Sequence, residues 1–355
     1  MGISRSSSIA SPGISVANEH ILPEKGAGAK WRPEIYDRNS RLMKLVVFGG
    51  GGFIGSTIVD RLLQDGHQLR VFERPRVVQY RRFNAGERVE WVTGDLSNSH
   101  DVSDVMDGAD VVLHLVSTTL PKGSNDDLIY DVQTNVVASL QMLNAMVARN
   151  VRRIVFISSG GTVYGKPAYL PIDELHPTDP LVSYGITKLA IEKYLHLFEH
   201  LHGIRAISLR VANPYGARQR VETAQGAVGV FLHHAISGIP LDIWGDGTVT
   251  RDYIHVSDVA EAFVRAIDYT GAKRIFNISS GVGVSLNELI VLLEGVLGTA
   301  IQRNYLPGRP FDVPASVLCN KIAQRELNWA PVVSMRAGIE RTAQWMAAEL
   351  AQRRI

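Results

Sequence analysis

The sequence contains little that would link it to an oxidising compartment, a membrane or a polyanion. It has one cysteine, Cys319, in 355 residues, so a disulfide cannot form within the chain. No apolar run reaches the ~18 residues that a bilayer-spanning helix needs. The formal net charge is only +2, without a long run of one sign, which argues against a nucleic-acid or membrane-surface binder. We therefore expect a cytoplasmic protein that binds neither nucleic acid nor membranes.

The composition is that of an ordinary globular protein, apart from the first 42 residues. Hydrophobic residues make up 45% of the chain and charged residues 20%. Residues 1–42 show no sustained periodicity and lack the apolar stretch of a secretory signal, so we interpret them as a poorly ordered N-terminal extension. Because Met43 begins the first regular strand pattern, our hypothesis is that it is the natural start of the protein.

Strand and helix patterns alternate from Met43 onward, which predicts an α/β fold. Strands are predicted at 44–48, 68–72, 89–92, 111–115, 154–157 and 206–209, with helices at 101–107, 127–149 and 183–202. This order is typical of a Rossmann-type doubly wound parallel sheet with helices on both faces. The rhythm breaks after Asn213. We therefore predict a Rossmann domain over 43–212 and a smaller C-terminal lobe over 213–355, with some strands and helices of the lobe segment returning to the first domain.

The first strand leads into a glycine-rich turn. Residues 45–55 read LVVFGGGGFIG, with Gly49, Gly52 and Gly55 spaced three apart and a helical pattern that begins at Phe53 and Ile54. Glycine allows positive φ angles and close backbone approach, and the free N–H groups of a helix start attract phosphates. The turn therefore predicts a dinucleotide pyrophosphate site. A tight turn in another kind of α/β protein is the alternative for the turn alone.

Two acidic residues at strand ends fit the rest of a dinucleotide. Glu73 lies 24 residues after Gly49, where a carboxylate can accept both ribose hydroxyls of NAD and would repel the 2′-phosphate of NADP. Asp95, followed by Leu96, could hold the adenine. Taken alone, Glu73 is equally well a solvated strand-end acid, and Asp95 is more often a helix cap. Arg74 and Arg76 next to Glu73 leave NADP as the alternative, and together these positions predict NAD as the cofactor.

Tyr184 and Lys188 are four residues apart at the start of a predicted helix, so both face one side of it. A phenol titrates near pH 10 and becomes a base at neutral pH only if its anion is stabilised. A lysine ammonium one turn away, with the positive nicotinamide ring, would supply that stabilisation. In isolation such a pair is most often an ordinary helix surface. After a nucleotide-binding βα array it predicts a proton-transfer pair.

Ordered motifs along most of the chain carry a family resemblance. They are GGGGFIG at 49–55, Asp95-Leu96, His114-Leu115, Asn135, SSGGTVYG at 158–165, YGITK at 184–188, NPYG at 213–216, RDYIHVSDVA at 251–260 and RELNW at 325–329. With these motifs the chain resembles an extended short-chain dehydrogenase/reductase of the NAD-dependent epimerase/dehydratase family, close to the UDP-glucose 4-epimerases. The resemblance implies tightly held NAD, with Leu115, Asn135 and Lys188 among its contacts, and it assigns proton transfer to Tyr184.

The resemblance also implies a Ser or Thr that hydrogen-bonds the reacting sugar oxygen. A gapless match places Gly160 at that position, whereas a family pattern with two glycines after the hydroxyl residue places Ser159 there. We assign the role to Ser159 and keep Thr162 as the alternative; either hydroxyl could instead cap the strand. Dehydratases of the family carry an Asp-Glu pair in this segment, and decarboxylases usually a Glu. Gly160, Gly161 and Thr162 occupy those places here, which leaves epimerisation or ketone reduction.

For the substrate, the resemblance points to a nucleotide-sugar held by the C-terminal lobe. It assigns the diphosphate to Asn213, Arg251 and Arg309, because arginine forks suit phosphate oxygens. It places Trp244 on the nucleotide base and Asp312 at the ribose. Surface ion pairs and a core tryptophan are the alternatives for these residues.

One position bears on sugar specificity. Ser316 falls where glucose-restricted epimerases of the family resemble one another in having a bulky Tyr. A small side chain leaves room for a 2-N-acetyl group. We therefore predict some turnover of N-acetylhexosamines.

These residues together predict a nucleotide-sugar 4-epimerase of the UDP-glucose/UDP-galactose type that acts by transient C4 oxidation with NAD. The enzymatic alternative is an NAD(P)H-dependent nucleotide-4-ketosugar reductase. The non-enzymatic alternative, an NAD(P)-sensing regulator, is disfavoured because Tyr184 and Lys188 are both present. The resemblance further implies capsule or O-antigen sugar supply, and a homodimer in which helices 127–149 and 183–202 pair across a two-fold axis.

His196 and His200 are four residues apart on one predicted helix, but no carboxylate motif accompanies them, so we expect no bound metal.

Overall fold

The computed structural model describes residues 42–77, 79–221, 226–309 and 313–353. Apart from Leu42, the predicted N-terminal extension lies outside these residues. The strands are β1 (Lys44–Phe48), β2 (Gln68–Glu73), β3 (Val89–Thr93), β4 (Val111–His114), β5 (Arg153–Ser159), β6 (Arg205–Val211), β7 (Asn213–Tyr215), β8 (Leu241–Trp244), β9 (Thr250–His255), β10 (Ile275–Ile278), β11 (Gly283–Ser285), β12 (Arg303–Leu306) and β13 (Ala315–Ser316).

Helices connect most of these strands. They are α1 (Phe53–Gln64), α2 (Ser99–Val105), α3 (Leu128–Asp131), a π-helix (Val132–Val137), α4 (Ala138–Ala148), α5 (Ser183–His202), α6 (Ala227–Ile236), α7 (Val256–Asp268), α8 (Leu286–Leu297), α9 (Lys321–Leu327) and α10 (Met335–Arg353). Within the described ranges, none of them is long and apolar enough to span a bilayer.

The main sheet is parallel and, in the described part of the chain, has seven strands. Their order is β3-β2-β1-β4-β5-β6-β10. The order reverses beside β1, which pairs with β2 on one side and with β4 on the other. This is the doubly wound arrangement that the alternating pattern predicts, and it confirms the Rossmann-type fold. Strand β10, from the C-terminal segment, returns to the edge of this sheet.

Two apolar layers cover the faces of the sheet. On one face α1 and α7 pack through residues such as Leu62 and Phe263, which are fully buried. On the other face α4 and α5 contribute Met142 and Leu195. Each such side chain contributes about 1.5–3 kcal/mol when it is removed from water. The central strands are buried on both sides, which explains their continuous apolar sequences.

A third apolar cluster holds much of the C-terminal segment together. It joins α6, β8, α8 and α10 through buried side chains that include Leu232, Ile243, Leu293 and Ile339. Strands β11, β9 and β13 form a small sheet, and β7 pairs with β9. The division into a Rossmann domain over 43–212 and a lobe over 213–355 stays a prediction.

The long helix predicted over 127–149 is helical but not uniform. It consists of α3, the π-helix and α4 in direct succession. A π-turn inserts one extra residue per turn and often lies beside a functional site. Asn135 lies within it, so the change of pitch rotates this residue relative to a regular helix.

Candidate active site

The glycine turn between β1 and α1 is packed too tightly for most side chains. Gly49 has a φ of +86°, in the left-handed region. A Cβ on Gly55 would lie 2.1 Å from the Gly49 carbonyl oxygen, and one on Gly51 would lie 2.6 Å from the Trp91 ring. At Gly52, by contrast, a Cβ would meet only the Gly49 oxygen, at 3.6 Å, within the described part of the chain. This side of the turn is open.

Helix α1 begins at this open side without a side-chain cap. Its N-cap is Gly52, and the helix starts with Phe53 and Ile54. The first N–H groups of a helix have no intrahelical partner and favour an anion. The predicted glycines, Phe53 and Ile54 therefore lie on one turn, whose shape and dipole fit a pyrophosphate.

Glu73 ends β2 beside the same turn. Its Oε1 accepts the Gly51 N–H at 2.8 Å. Burial raises the pKa of this carboxyl, and the Gly51 hydrogen bond opposes the rise. The contact joins Glu73 to the glycine turn through one carboxylate oxygen, which is compatible with a ribose on the other.

Asp95 lies one strand further along the sheet edge and is exposed. Its Oδ1 accepts the N–H and the hydroxyl of Ser97, at 2.8 and 2.7 Å, and these bonds lower the pKa of the carboxyl. Leu96 beside it is buried in the core under Phe72 and its neighbours. The helix cap that the sequence offered as the alternative is wrong, because Asn98 caps α2 and Asp95 closes a turn with Ser97. The role of Asp95 toward adenine stays a prediction.

A short stretch of backbone after β4 connects the glycine turn to the tyrosine. A Cβ on Gly49 would lie 3.1 Å from the backbone of both Leu115 and Val116, so this segment crosses directly over the turn. The next residue, Ser117, lies near Tyr184 and lowers the pKa of its phenol. Leu115, which was predicted to contact the cofactor, thus lies between the glycine turn and Tyr184.

Tyr184 and Lys188 occupy the first turns of α5 and face the end of β5. The Lys188 Nζ lies 5.6 Å from the centre of the Tyr184 ring and 4.8 Å from that of Phe156. It donates to the Ile157 carbonyl oxygen at 3.1 Å, and the residue is only 3% exposed. The structure therefore brings the predicted pair together in a largely dry place.

Burial dominates the pKa values of this pair. It raises the pKa of Tyr184 to about 12; Ser117 opposes the rise and Asp131 adds to it. Burial lowers the pKa of Lys188 to about 7, against the raising effects of Asp131 and Glu192. The sequence argument needs a lowered phenol pKa. Within the protein chain the lysine alone does not outweigh burial, so the lowering requires a further positive charge next to the phenol.

Asn135 holds the segment that carries Ser117. Its Oδ1 accepts the Thr118 N–H at 3.0 Å, and its Nδ2 donates to the Asp131 carboxylate at 2.8 Å. The side chain is buried at 6% exposure. Its observed contacts order the loop after β4, and its predicted contact with NAD remains untested.

The two candidate hydroxyls lie in one tight turn at the end of β5. The Thr162 N–H donates to the Ser159 carbonyl oxygen at 3.3 Å. The Thr162 Oγ1 is buried without a hydrogen-bond partner in the described part of the chain, as is common for a group that serves a ligand. Ser158, one residue earlier, donates to the buried Glu192 and is structural. The choice between Ser159 and Thr162 stays a prediction.

Gly160 has a steric reason to lack a side chain. A Cβ there would lie 2.3 Å from the Leu318 side chain and 3.0 Å from the Arg210 carbonyl oxygen. The acidic residues that the resemblance associates with dehydration have no room at this first position. The packing of Leu318 and of the Arg210 backbone against Gly160 therefore excludes the dehydratase pattern at this position.

Asn213 adjoins this turn from the C-terminal side. A Cβ on Gly161 would lie 3.9 Å from the Asn213 Oδ1, whereas the Asn213 Nδ2 donates to the Asp252 carbonyl oxygen at 2.8 Å. The amide oxygen thus points toward the β5 turn. Asn213 therefore links the predicted substrate residues to the turn that carries the candidate hydroxyls.

Arg251 and Ser316 are cross-strand neighbours. They pair in the register of β9 and β13, and the Arg251 Nη1 donates to the carbonyl oxygens of Val313 and Thr250, at 2.7 and 2.9 Å. The predicted phosphate ligand and the predicted specificity position therefore share one small sheet.

Trp244 and Arg309 form a cation–π pair. The Arg309 guanidinium carbon lies 4.0 Å from the centre of the Trp244 ring, which is 41% exposed. A nucleobase that packs on Trp244 must therefore use the other face of the ring or displace the arginine. Asp312, predicted at the ribose, lies outside the described residues.

Sequence reasoning missed four buried charged groups around these residues. Asp131 accepts hydrogen bonds beside Tyr184. Asp252, 1% exposed, accepts from the backbone of Ser280, Gly281 and Leu318 and so fixes the turns near Asn213. Glu192 and Arg210 form a buried ion pair at 2.6 Å behind β5. In the sequence, each of these residues is a charge within an otherwise apolar pattern. Their binding partners could not be predicted, because they lie far away in the sequence.

Metal ligands were not expected, and the described residues contain no group of three or more His, Cys, Asp or Glu side chains arranged to hold an ion. His196 and His200 lie on α5 and carry no carboxylate neighbour in a metal-binding arrangement within the described ranges.

Comparison with known proteins gives a consistent result. Residues 45–279 match the model of the NAD dependent epimerase/dehydratase family. The UDP-glucose 4-epimerase of Mycolicibacterium smegmatis is 35% identical over 308 residues, covering 85% of this chain and 98% of the relative. A dTDP-4-dehydro-6-deoxyglucose reductase of Escherichia coli is 31% identical, covering 85% and 97%. The crystal structure of Thermotoga maritima UDP-glucose 4-epimerase with UDP-glucose superposes with a TM-score of 0.82 at 30% identity, covering 87% of this chain and all of that one.

Proposed function

The chain belongs to the NAD-dependent epimerase/dehydratase family, and we propose that it is a nucleotide-sugar 4-epimerase of the UDP-glucose/UDP-galactose type. The observation that carries the proposal is the Tyr184–Lys188 pair. It is buried at the start of α5 and is joined to the glycine turn through the segment from Leu115 to Ser117.

The residues around the glycine turn fit NAD. The open side of the turn at Gly52 and the uncapped start of α1 suit the pyrophosphate, and Glu73 suits the ribose hydroxyls. When bound, NAD accepts the hydrogen of sugar C4 with its electron pair and returns it to the 4-keto sugar. The chain itself supplies the binding surface, the proton transfer and the exclusion of water.

Tyr184 transfers the proton. It accepts the O4 proton of the sugar as C4 is oxidised, and it returns that proton when the keto group is reduced on its other face. Lys188 stabilises the phenolate from one helical turn away, and a positive charge on the bound cofactor acts in the same direction. The sugar loses and regains one proton and one hydrogen with its electron pair, so no external reductant is consumed.

The third hydroxyl shares the O4 hydrogen bond. We keep Ser159 in this role and Thr162 as its alternative, supported respectively by the two-glycine family pattern and by the unpartnered Thr162 Oγ1. The crowded position of Gly160 supports epimerisation over dehydration, because an acidic side chain cannot fit there.

The substrate is anchored by its nucleotide. Asn213, Arg251 and Arg309 bind the diphosphate, Trp244 packs on the base and Asp312 meets the ribose. Anchoring away from the sugar is required because the sugar must turn over between its two half-reactions. The small Ser316 lies beside Arg251 in β13 and supports turnover of N-acetylhexosamines. If UDP-GlcNAc and UDP-GalNAc are not interconverted by protein that acts on UDP-glucose, this last assignment fails.

A nucleotide-4-ketosugar reductase is the second candidate, since one relative is a reductase of a 4-dehydro sugar. One assay separates the two. Purified protein is incubated with UDP-glucose without added cofactor, and the product is identified by NMR. UDP-galactose formation supports the epimerase, whereas turnover only with a 4-keto sugar and stoichiometric NADPH supports the reductase.

The expected homodimer is part of the proposal. Several apolar side chains on α3 and α5 are exposed, including Leu128 (56%), Ile129 (71%) and Leu201 (58%). A second copy would cover them across a two-fold axis. Leu201→Glu is expected to give a monomer by light scattering, whereas Val291→Glu, at an equally exposed site on α8, is expected to stay a dimer. If the Leu201→Glu variant is still a dimer, the exposed face of α3 and α5 is not the dimer interface.

We further propose that the enzyme acts in the cytoplasm and supplies sugars for polysaccharide synthesis.

A further inference from the structure

Asp131 is a fully buried carboxylate that the proposed chemistry does not use. It ends α3 at the point where the π-helix begins, and its exposure is 0%. Its Oδ2 accepts the Ser183 hydroxyl at 2.6 Å, and its Oδ1 accepts the Asn135 amide at 2.8 Å and the Thr119 hydroxyl. The three donors come from three different segments of the chain. A buried carboxylate that accepts from three donors is held in a defined position.

Two of these segments border Tyr184. Ser183 directly precedes it in α5, and Thr119 follows two residues after Ser117, which lowers the pKa of the phenol. The start of α5 is further fixed by the Tyr184 N–H, which donates to the Ser124 Oγ at 3.1 Å. Asp131 thus joins the helix that carries Tyr184 to the loop that contains Ser117.

The negative charge of Asp131 also acts on both proton-transfer residues. It raises the pKa of Tyr184 and that of Lys188. In the described part of the chain, no lysine, arginine or histidine forms an ion pair with Asp131, so this charge is not locally cancelled. Because Lys188 lies in a dry site, a nearby anion determines how much of it remains an ammonium at neutral pH.

The other ionisable groups near this place are already paired or neutral. Glu192, one turn after Lys188 on α5, is bound by Arg210 from β6. His114 on β4 contacts the Ser139 hydroxyl at 2.7 Å, and burial lowers its pKa to about 3, so it is neutral throughout the working range. Asp127, at the start of α3, caps the Tyr130 N–H at 2.9 Å. Two carboxylates raise the pKa of Lys188, Asp131 and Glu192; Glu192 is bound by Arg210, whereas Asp131 has no ion-pair partner in the described part of the chain.

We propose that Asp131 is a positioning residue that fixes the start of α5 against the 117–119 loop, and that its negative charge acts on Tyr184 and Lys188. This inference rests on the proposed function, in which Tyr184 and Lys188 transfer the proton. The pH range over which turnover occurs is then set by Asp131 as well as by the two residues themselves.

Asp131→Asn tests the charge with little change of shape. An amide oxygen still accepts from Asn135 and Thr119, and the amide N–H can donate to the Ser183 hydroxyl. The acidic limb of the kcat–pH profile, assigned to Tyr184, and the basic limb, assigned to Lys188, both move to lower pH, by about one unit. Asp131→Ser, which leaves room for a water molecule, is measured in parallel and shifts both limbs in the same direction.

Ser183→Ala is the matched control. It removes one hydrogen bond to the carboxylate but keeps the charge, so kcat falls while both limbs stay at their wild-type positions. A residue that is merely structural would give the reverse pattern for Asp131→Asn, a lower kcat with unmoved limbs, and that result overturns the proposal.

A titration without turnover separates this inference from the proposed function. The near-ultraviolet absorbance of tyrosinate is followed against pH in protein with and without Tyr184→Phe, and the difference reports the Tyr184 phenol alone. Asp131→Asn lowers that phenol's titration midpoint by about one unit even if the protein epimerises no sugar. An unchanged midpoint overturns the proposal; a shifted midpoint without epimerase activity overturns the proposed function instead.

Discussion

A Cβ on Gly55 would lie 2.1 Å from the carbonyl oxygen of Gly49, so β1 and α1 meet at a point where no side chain fits. Gly52, on the same turn, has a different environment. Its φ of −77° suits any residue, and the nearest described atom to its Cβ would be 3.6 Å away. Gly55 is therefore required for the packing of β1 against α1, whereas Gly52 leaves space for a ligand on the open side of the turn.

Gly55→Ala and Gly52→Ala should therefore fail in different ways. The first is expected to destabilise the protein by about 3 kcal/mol, because backbone atoms must move apart. The second is expected to leave the melting temperature of cofactor-stripped protein nearly unchanged but to lower the amount of NAD that copurifies. Thermal melting and chromatography of NAD released on denaturation measure the two effects. If the Gly52→Ala protein copurifies with as much NAD as the wild type, the cofactor does not bind at the open side of the turn.

The two candidate hydroxyls at the end of β5 can be ranked by removing each. Ser159→Ala is expected to lower kcat about 10²-fold, because the O4 hydrogen bond is lost in the transition state. Thr162→Val is expected to lower it less, with KM for the nucleotide-sugar little changed in both variants. Steady-state kinetics on UDP-glucose provide the test. The opposite ranking would move the role to Thr162, whose Oγ1 is the unpartnered one.

Asp60 on α1 joins two segments that flank the glycine turn. Its carboxylate pairs with Arg81 at 2.5 Å and with Arg218 at 2.7 Å, and the neighbouring Tyr80 N–H donates to the Gly51 carbonyl oxygen at 3.4 Å. All three side chains of this ion-pair network are about three-quarters buried, so the network is screened less than a surface pair.

We expect Asp60→Asn to speed the release of NAD by about two- to tenfold, which corresponds to roughly 0.4–1.4 kcal/mol. Asp65→Asn is the control, since Asp65 pairs with Arg61 on the same helix and does not reach the flanking segments through that pair. Release is followed by the decay of cofactor fluorescence after trapping the reduced form. Equal release rates for both variants and the wild type would show that the network does not retain the cofactor.

His114 makes stability depend on pH in the acid range. Burial lowers its pKa from 6.5 to about 3, with Lys188 adding to the fall. The unfolded chain therefore binds a proton near pH 6.5 before the folded protein does, so stability is lost as the pH falls from about 6.5 toward 3. His114→Gln is expected to make the melting temperature depend less steeply on pH over this range. His100→Gln, at a side chain that is 82% exposed, should leave the slope unchanged. His255, whose pKa burial lowers to about 4, keeps part of the slope in both variants.

The features that the sequence predicted best depend on residues close together in the chain. The glycine turn follows from the positive φ of Gly49 and the contact across Gly55, both of which involve residues within one short segment. The doubly wound parallel sheet follows from the alternation of strand and helix patterns along the chain. The pairing of Tyr184 with Lys188 follows from helical periodicity alone.

Contacts between distant segments could not be predicted in the same way. Asp131 looks like any polar residue at a helix end until Ser183, 52 residues later, is placed against it. Gly160 looks like a departure from a motif until Leu318 occupies the space of its missing side chain. The π-helix at Val132–Val137 buries Asn135 and exposes Val132 and Val137, which a regular apolar pattern does not predict. The pKa of Tyr184 depends on burial, which no local pattern encodes.

The central claim, oxidation and re-reduction at C4 within one closed site, is tested most directly with a label on that carbon. UDP-glucose carrying deuterium at C4 is incubated with purified protein, without added cofactor, and the UDP-galactose formed is examined by mass spectrometry and NMR. The account predicts that the deuterium is retained at C4 of the product, and that Tyr184→Phe protein forms about 10³-fold less product over the same time. Replacement of the deuterium by solvent hydrogen, or undiminished turnover by Tyr184→Phe, would contradict it.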